Sequence, residues 1–291
     1  MLIEWQKLLK NKATYISLSA LILVVGLAAW SGAGMFRSEY DVIKRVNGHF
    51  PDAVALISPH QYWIGLSNAF FSSFYYFIFP LLVALPIVDT IYNEQVSGNL
   101  HYQMIRTNRR AYFWNKFIFT FVISFVFFVI PLLIGVGLVN LLTGTWDYTG
   151  FSAAYDKLIR GTAVLGDSTS LSLKKELFSD LLSVSPYAYI MVYYIIGGLY
   201  AGAYSCFGLA LSFFVQNRYL ILIMPLCLYL GGWMIFTLLR LLPWDPFNFL
   251  DPRQPVNGLH VLPVVIDFGM LMLAVAFLYM LGVRKTRDIL A

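Results

Sequence analysis

The chain has 291 residues, of which 59% are hydrophobic, 12% charged and 17% aromatic, with a formal net charge of +5. Soluble domains carry about 25% charged residues, so this composition excludes an ordinary soluble enzyme, a disordered chain and a nucleic-acid-binding module. It describes a membrane-embedded protein.

Residues 1–12 have a pattern of their own. Met1, Leu2, Trp5, Leu8 and Leu9 share a broad apolar face, with Glu4, Lys7 and Lys10 opposite. That amphipathic layout predicts an interfacial helix lying in the membrane plane, with Trp5 at headgroup height. A membrane helix takes about 20 mostly apolar residues, and runs at about 13–36, 62–88, 117–142, 183–215, 219–239 and 260–283 meet that length. The first run is too long for the apolar core of a cleavable signal peptide. The expected fold is therefore an all-α membrane protein, one transmembrane domain over 1–291, with six transmembrane helices after the interfacial helix. Pro80, Pro86, Pro131 and Pro225 should bend the runs that contain them.

Six crossings put both termini on one side. Lys7, Lys10, Lys12, Arg106, Arg109, Arg110, Lys116, Arg218, Arg284, Lys285 and Arg287 abut the spans on that side, in short segments. The positive-inside rule makes that side the cytoplasm. Outer loops are then expected at 37–61, 143–182 and 240–259. Within the second, 171–182 reads as a short amphipathic helix. The third alternates Pro243, Pro246, Pro252 and Pro255 with Trp244, Phe247, Phe249 and Leu250. It is too apolar for a free loop and too rich in proline for one helix, which suggests short segments packed on protein, or a rigid outer cap.

The substantial cytoplasmic loop is 89–116. Its sequence predicts a helix leaving the membrane, a break at Gly98, a short transverse helix carrying Leu100, Met104 and Ile105, a cap at Thr107 or Asn108, and a basic helix returning into the third span. Such a transverse helix is a natural knob for a soluble partner, although topogenic charge alone also explains a basic loop.

Chemistry-bearing motifs are scarce. The chain has no GxxxxGK[ST], HExxH or GxSxG, and His49, His60, His101 and His260 are scattered. Cys206 and Cys227 both lie in apolar runs and offer no disulfide framework or metal spacing. Asp267 is the acid inside a span, a functional candidate by its position. Its structural alternatives are an ion pair with Arg240 or a hydrogen bond to a tyrosine. The fourth span holds Gly198 and Gly202 as GxxxG, which permits close helix approach. It also carries Tyr189, Tyr193, Tyr200 and Tyr204, which either line a path for an amphipathic cargo or simply pack.

Taken together, the interfacial helix, six spans, long loop between spans two and three, short turn between spans four and five, and Pro/aromatic outer segment resemble the permease subunit of a type-2 ATP-binding-cassette (ABC) exporter. The resemblance covers nearly the whole chain. In the loop the family often shows an acid, a glycine four residues on, a basic residue and a lysine opening the third span. Here these are Glu94, Gly98, Arg109 or Arg110, and Lys116. The family's frequent proline before the basic residue is replaced by Thr107 and Asn108, which leaves the register open. Exporters of antimicrobial or toxic peptides in Gram-positive bacteria are the most similar kind.

The resemblance implies a multi-pass protein of a bacterial plasma membrane. Two permease chains, as a homodimer, would form the path among membrane lipid, and two copies of a separate ABC ATPase would bind ATP and Mg below them. This chain would bind no cofactor, metal or nucleic acid and would have no catalytic residue. Coupling to the ATPase would fall to Glu94, Gly98, Leu100, Met104, Ile105, Arg106, Arg109 and Arg110. Asp267, Arg240, Tyr193, Tyr200 and Tyr204 would be candidates for the path. The alternatives are a stand-alone secondary transporter or channel using Asp267, an immunity protein without transport, and an intramembrane enzyme, for which no convergent acid/base cluster can be assembled.

Overall fold

The computed structural model describes residues 2–46, 57–106, 108–146, 177–252 and 259–290. These residues are helical, with short irregular links. We number the α-helices in chain order: α1 Leu2–Lys10, α2 Lys12–Val46, α3 Phe70–Ala84, α4 Thr90–Val96, α5 Asn99–Arg106, α6 Arg109–Thr143, α7 Pro186–Leu211, α8 Arg218–Leu238, α9 Pro246–Phe249 and α10 Val261–Leu290. Five of them (α2, α6, α7, α8 and α10) are long and apolar enough to cross a membrane, and α3 is a shorter apolar helix. This is an all-helical architecture compatible with a multi-pass membrane protein.

The expected second span, 62–88, is not one helix. Only Phe70–Ala84 is α-helical, 15 residues long, preceded by a 3-10 turn at Pro59–Tyr62 and an irregular stretch. Gly65 breaks the run with φ +93°, where the ring of Pro252 and the hydroxyl of Tyr76 leave no room for a Cβ. Non-helical backbone in so apolar a segment needs burial in protein with its polar groups satisfied. Here Ser72 Oγ accepts from Gly65 N at 2.8 Å, Tyr194 OH donates to Ile64 O at 2.7 Å, and Trp63 Nε1 donates to Asn140 Oδ1 at 2.9 Å.

Two expected loop boundaries also move. Helix α2 runs on through 37–46, expected as loop, because no Gly or Pro lies between Gly34 and Val46 to stop it. Helix α6 starts at Arg109, well before the apolar run at 117, because Asn108 Oδ1 accepts from Arg110 N at 3.1 Å and fixes the first turn there. Of the expected outer helix 171–182, residues 171–176 lie outside the described residues, and Ser179–Ser183 form a 3-10 turn. The Pro/aromatic segment is a 3-10 turn at Leu242–Trp244 followed by α9. Asp245 caps α9 by accepting from Phe247 N at 3.0 Å, and Phe247 stacks on Trp233 of α8 at 4.9 Å.

Helices α6 and α7 make the most extensive contact, with α2 against α6 and α3 against α2. Glycines on α7 let the helices approach: a Cβ on Gly198 would sit 2.7 Å from the Phe125 ring, and one on Gly202 2.7 Å from the Phe121 ring. The GxxxG face is thus used inside the chain. Tyr75 of α3 closes the centre by donating to the Phe128 carbonyl at 2.7 Å. Helices α8 and α10 are mostly exposed.

Candidate functional site at the charged end of the bundle

Helices α1, α4 and α5 meet the start of α6 at one end of the bundle. Local sequence sets this geometry. Pro86 prevents α3 from continuing, and α4 restarts at Thr90 with its own hydrogen bonding. Gly98, at φ +71°, turns the chain between α4 and α5, a left-handed conformation that favours glycine.

Glu94 is the hub. It is buried, and both carboxylate oxygens are engaged. Lys7 Nζ of α1 lies 2.6 Å from Oε1, while Oε2 accepts from both Lys116 Nζ and the Tyr112 hydroxyl of α6. Lys116 Nζ is also 3.1 Å from Tyr112 OH, and Lys7 lies 3.0 Å from Glu4. Burial alone would push the Glu94 carboxyl up, but the adjacent Lys116, Lys7 and Tyr112 outweigh it and hold it below the usual glutamate value. Burial would push Lys7 down, yet Glu94 and Glu4 hold it above an ordinary lysine. The outcome is an ionic latch joining three chain segments. It ties α1, α4 and α6 together.

A second ion pair lies alongside. Asp89, wholly buried, takes Arg218 Nε on Oδ2 at 2.6 Å, tying the residue that opens α4 to the start of α8. At the same end, Arg109 donates to the Val283 carbonyl of α10 and stacks over Phe113 at 6.0 Å. Tyr279 OH donates to Phe113 O at 2.8 Å. A cleft of about 290 Å³ opens between α1 and α4.

The expected coupling residues divide. Glu94 and Gly98 hold the geometry just described. Leu100 points inward, 5% exposed, and packs with Ile91, Phe113 and Phe117, while Met104 is half-buried against the same apolar cluster. Arg109 is committed to α10, and Arg110 is exposed. The side chains of Ile105 and Arg106 lie outside the described residues. The surface that α5 presents outward is instead Tyr102, 69% exposed, with Asn99 and His101. Sequence reasoning missed Tyr102 as an outward residue and Lys7 as a partner of Glu94. The visible signals were Lys7 paired with Glu4 at i, i+3, and Tyr112 and Lys116 at i, i+4 on one face of α6.

The expected path residues lie toward the other end. Asp267 is half-buried and accepts from Tyr200 OH at 3.0 Å, the tyrosine alternative rather than the Arg240 pair. Arg240 is exposed, in a left-handed turn at φ +57°. Tyr193 donates to Leu177 O at 2.9 Å, and Tyr204 packs against Tyr200 and Tyr229. All three tyrosines are buried within the chain. Among the described residues no group of three or more His, Cys, Asp or Glu side chains is placed to hold a metal. Compared with protein-family models, curated proteins and solved structures, the chain has no match in any of the three.

Proposed function

We propose that this chain is the membrane-spanning subunit of a type-2 ABC exporter. Two copies form the path for an amphipathic or hydrophobic cargo, a peptide above all, across a bacterial plasma membrane. ATP and Mg belong to a separate P-loop subunit that docks on α5. The supporting observation is the mechanical arrangement of α5. One face is anchored through Leu100 to the bases of α6 and α10, and the other presents Tyr102. The helix before it is latched through Glu94 to α1 and α6. A displacement of α5 by a soluble partner therefore reaches the spanning helices through packed side chains and one ionic hub. The stand-alone transporter reading has less support, because Tyr200 holds the Asp267 carboxylate within helix packing.

The first test is whether a neighbouring reading frame encodes a P-loop ATPase, and the second is co-expression with that ATPase. The two should copurify from membranes, and hydrolysis of ATP should rise when candidate amphipathic peptides are added. If no P-loop ATPase is retained, and the chain alone conducts or transports, the exporter reading is wrong.

A further inference from the structure

Asp267 is met by the chain on one oxygen. Its Oδ2 accepts from Tyr200 OH at 3.0 Å, while Oδ1 takes no hydrogen bond from any described residue and, on a half-buried side chain, stays open to contact. The gap it faces follows from the packing. Helices α8 and α10 each pack on α7 but hardly on each other, and the segment from Leu242 through α9 bridges them at one end. Under that bridge α7 presents Tyr204, whose ring lies 5.5 Å from Tyr229 of α8, and Tyr200, whose ring lies 5.4 Å from Phe249 of α9 and from Phe268 of α10. Away from the bridge, the Asp267 edge of α10 continues through half-buried Leu271 and exposed Ala274, at i+4 and i+7.

The charge in this gap is of one sign. Asp245 of the bridge is wholly buried. Burial pushes its carboxyl up to about 6, against the bond from Phe247 N, and the charge of Asp267 adds to the rise. Neither acid has an ion-pair partner among the described residues, and Arg240, at the end of α8, pairs with neither. The Tyr229 hydroxyl, on a side chain 1% exposed, also lacks a hydrogen-bond partner among the described residues, with Asp245 and Asp251 acting on it. An acid on an apolar helix is costly unless a cation, a donor or water meets it.

We propose that the gap between α8 and α10 seats a cationic amphipathic peptide, with the ammonium of a lysine side chain donating to Asp267 Oδ1 and the apolar face of the peptide lying along Leu271 and Ala274. Charge complementarity selects this occupant. An anionic peptide would add a third negative charge beside Asp245 and Asp267, and a neutral one would leave Oδ1 without a charged donor. A second copy of the chain packed on this stretch of α10 would offer the apolar Val265, Ile266 and Met270, which bring no donor to Oδ1. The inference deepens the exporter reading by naming the charge of the cargo. Its binding test uses no ATPase, so it can fail while ATPase coupling holds, and the reverse.

The experiment is fluorescence anisotropy of a labelled leucine/serine amphipathic helix carrying a single lysine, titrated with the full chain purified in a non-ionic detergent. The same peptide with that lysine Nε-acetylated is the comparison. The lysine form should bind more tightly on the order of tenfold, as expected for a hydrogen bond between charged groups. Asp267→Asn keeps an acceptor for Tyr200 but removes the charge, and should bring the two peptides to equal affinity. Because Asp267 also joins α10 to α7, Ala274→Trp is the second variant. It fills the same edge of α10 from an exposed position without touching the Tyr200 bond, and should weaken the lysine peptide while melting stays as in the native chain. Equal affinity of the two peptides for the native chain, or a lysine preference that survives in either variant, overturns the proposal. Conversion of a dimer to a monomer by Ala274→Trp, with no peptide bound by the native chain, assigns the edge to a second copy and also overturns it.

Discussion

Tyr200 shares one hydroxyl between two acceptors, Asp267 Oδ2 at 3.0 Å and the Val264 carbonyl at 3.0 Å, so α7 and α10 are joined by a bifurcated bond from a side chain 1% exposed. The carboxylate of Asp267 is thereby held against α7, in a span where an isolated acid is costly.

That bond is measurable as a coupling. Tyr200→Phe should lower stability by about 1–2 kcal/mol in the native background. In an Asp267→Leu background the same change should cost less, since the charged one of its two acceptors is gone and only the Val264 carbonyl remains. Thermal melts of the two single variants and the double variant in one detergent give the interaction energy. Additive effects would mean that the two side chains are not coupled.

At the other end, Glu94 compensates a lysine that is 2% exposed. Glu94→Ala strands Lys116 and should cost about 3–5 kcal/mol, whereas replacing both by leucine should recover much of that loss. The pH dependence has a definite sign. Glu94 has its folded value below the usual one, so its stabilisation is complete above about pH 4.3 and is lost as pH falls from there through the lower folded value. Melting temperatures followed downward from neutral pH should show that loss in the native chain, and a smaller loss in Glu94→Gln. Parallel curves would refute the assignment.

Much of this architecture was legible in the sequence because long apolar runs and caps are local signals. The Asn108 cap and the Gly98 turn lie in the residues themselves. The break at Gly65 was hidden because 62–88 is continuously apolar, and such a run does not distinguish helix from irregular backbone buried in protein. The extension of α2 to Val46 was hidden for the opposite reason: charges at Arg37 and Glu39 end the apolar run but do not stop a helix. The hub was illegible because Lys7, Glu94 and Lys116 are far apart in the chain and meet only when α1 folds onto α4 and α6. For α5, an amphipathic pattern shows that one face is apolar, not whether that face turns toward the spans or toward a partner.

Gly198 and Gly26 provide a matched test of helix packing. A Cβ at Gly198 would lie 2.7 Å from the Phe125 ring, whereas one at Gly26 meets nothing within 4 Å. Gly198→Ala should therefore destabilise by about 1–3 kcal/mol through overpacking of α6 against α7. Gly26→Ala should leave the melting temperature unchanged or raise it. Equal behaviour of the two variants would contradict the α6–α7 contact.

The final prediction separates anchoring from docking on α5. Leu100 is buried at 5% and Tyr102 is 69% exposed, two residues apart on one short helix. Leu100→Ala empties a site packed by Phe113 and Phe117 and should lower stability by about 2–5 kcal/mol whatever the partner does. Tyr102→Asp removes an exposed side chain with no core contact, so its effect on stability should stay within about 0.5 kcal/mol. An exposed tyrosine is the residue type that anchors an interface, where truncation costs about 2 kcal/mol or more. Tyr102→Asp should therefore release the copurified ATPase and abolish cargo-stimulated hydrolysis while insertion and melting stay normal. Aspartate at Met104 is a poorer probe, because Met104 already packs inward and its loss would mix folding with docking. Both variants are to be measured on the same membranes, melting and ATPase retention side by side. If Tyr102→Asp retains the ATPase at native levels, α5 is not the docking element, and its outward face has no part in coupling.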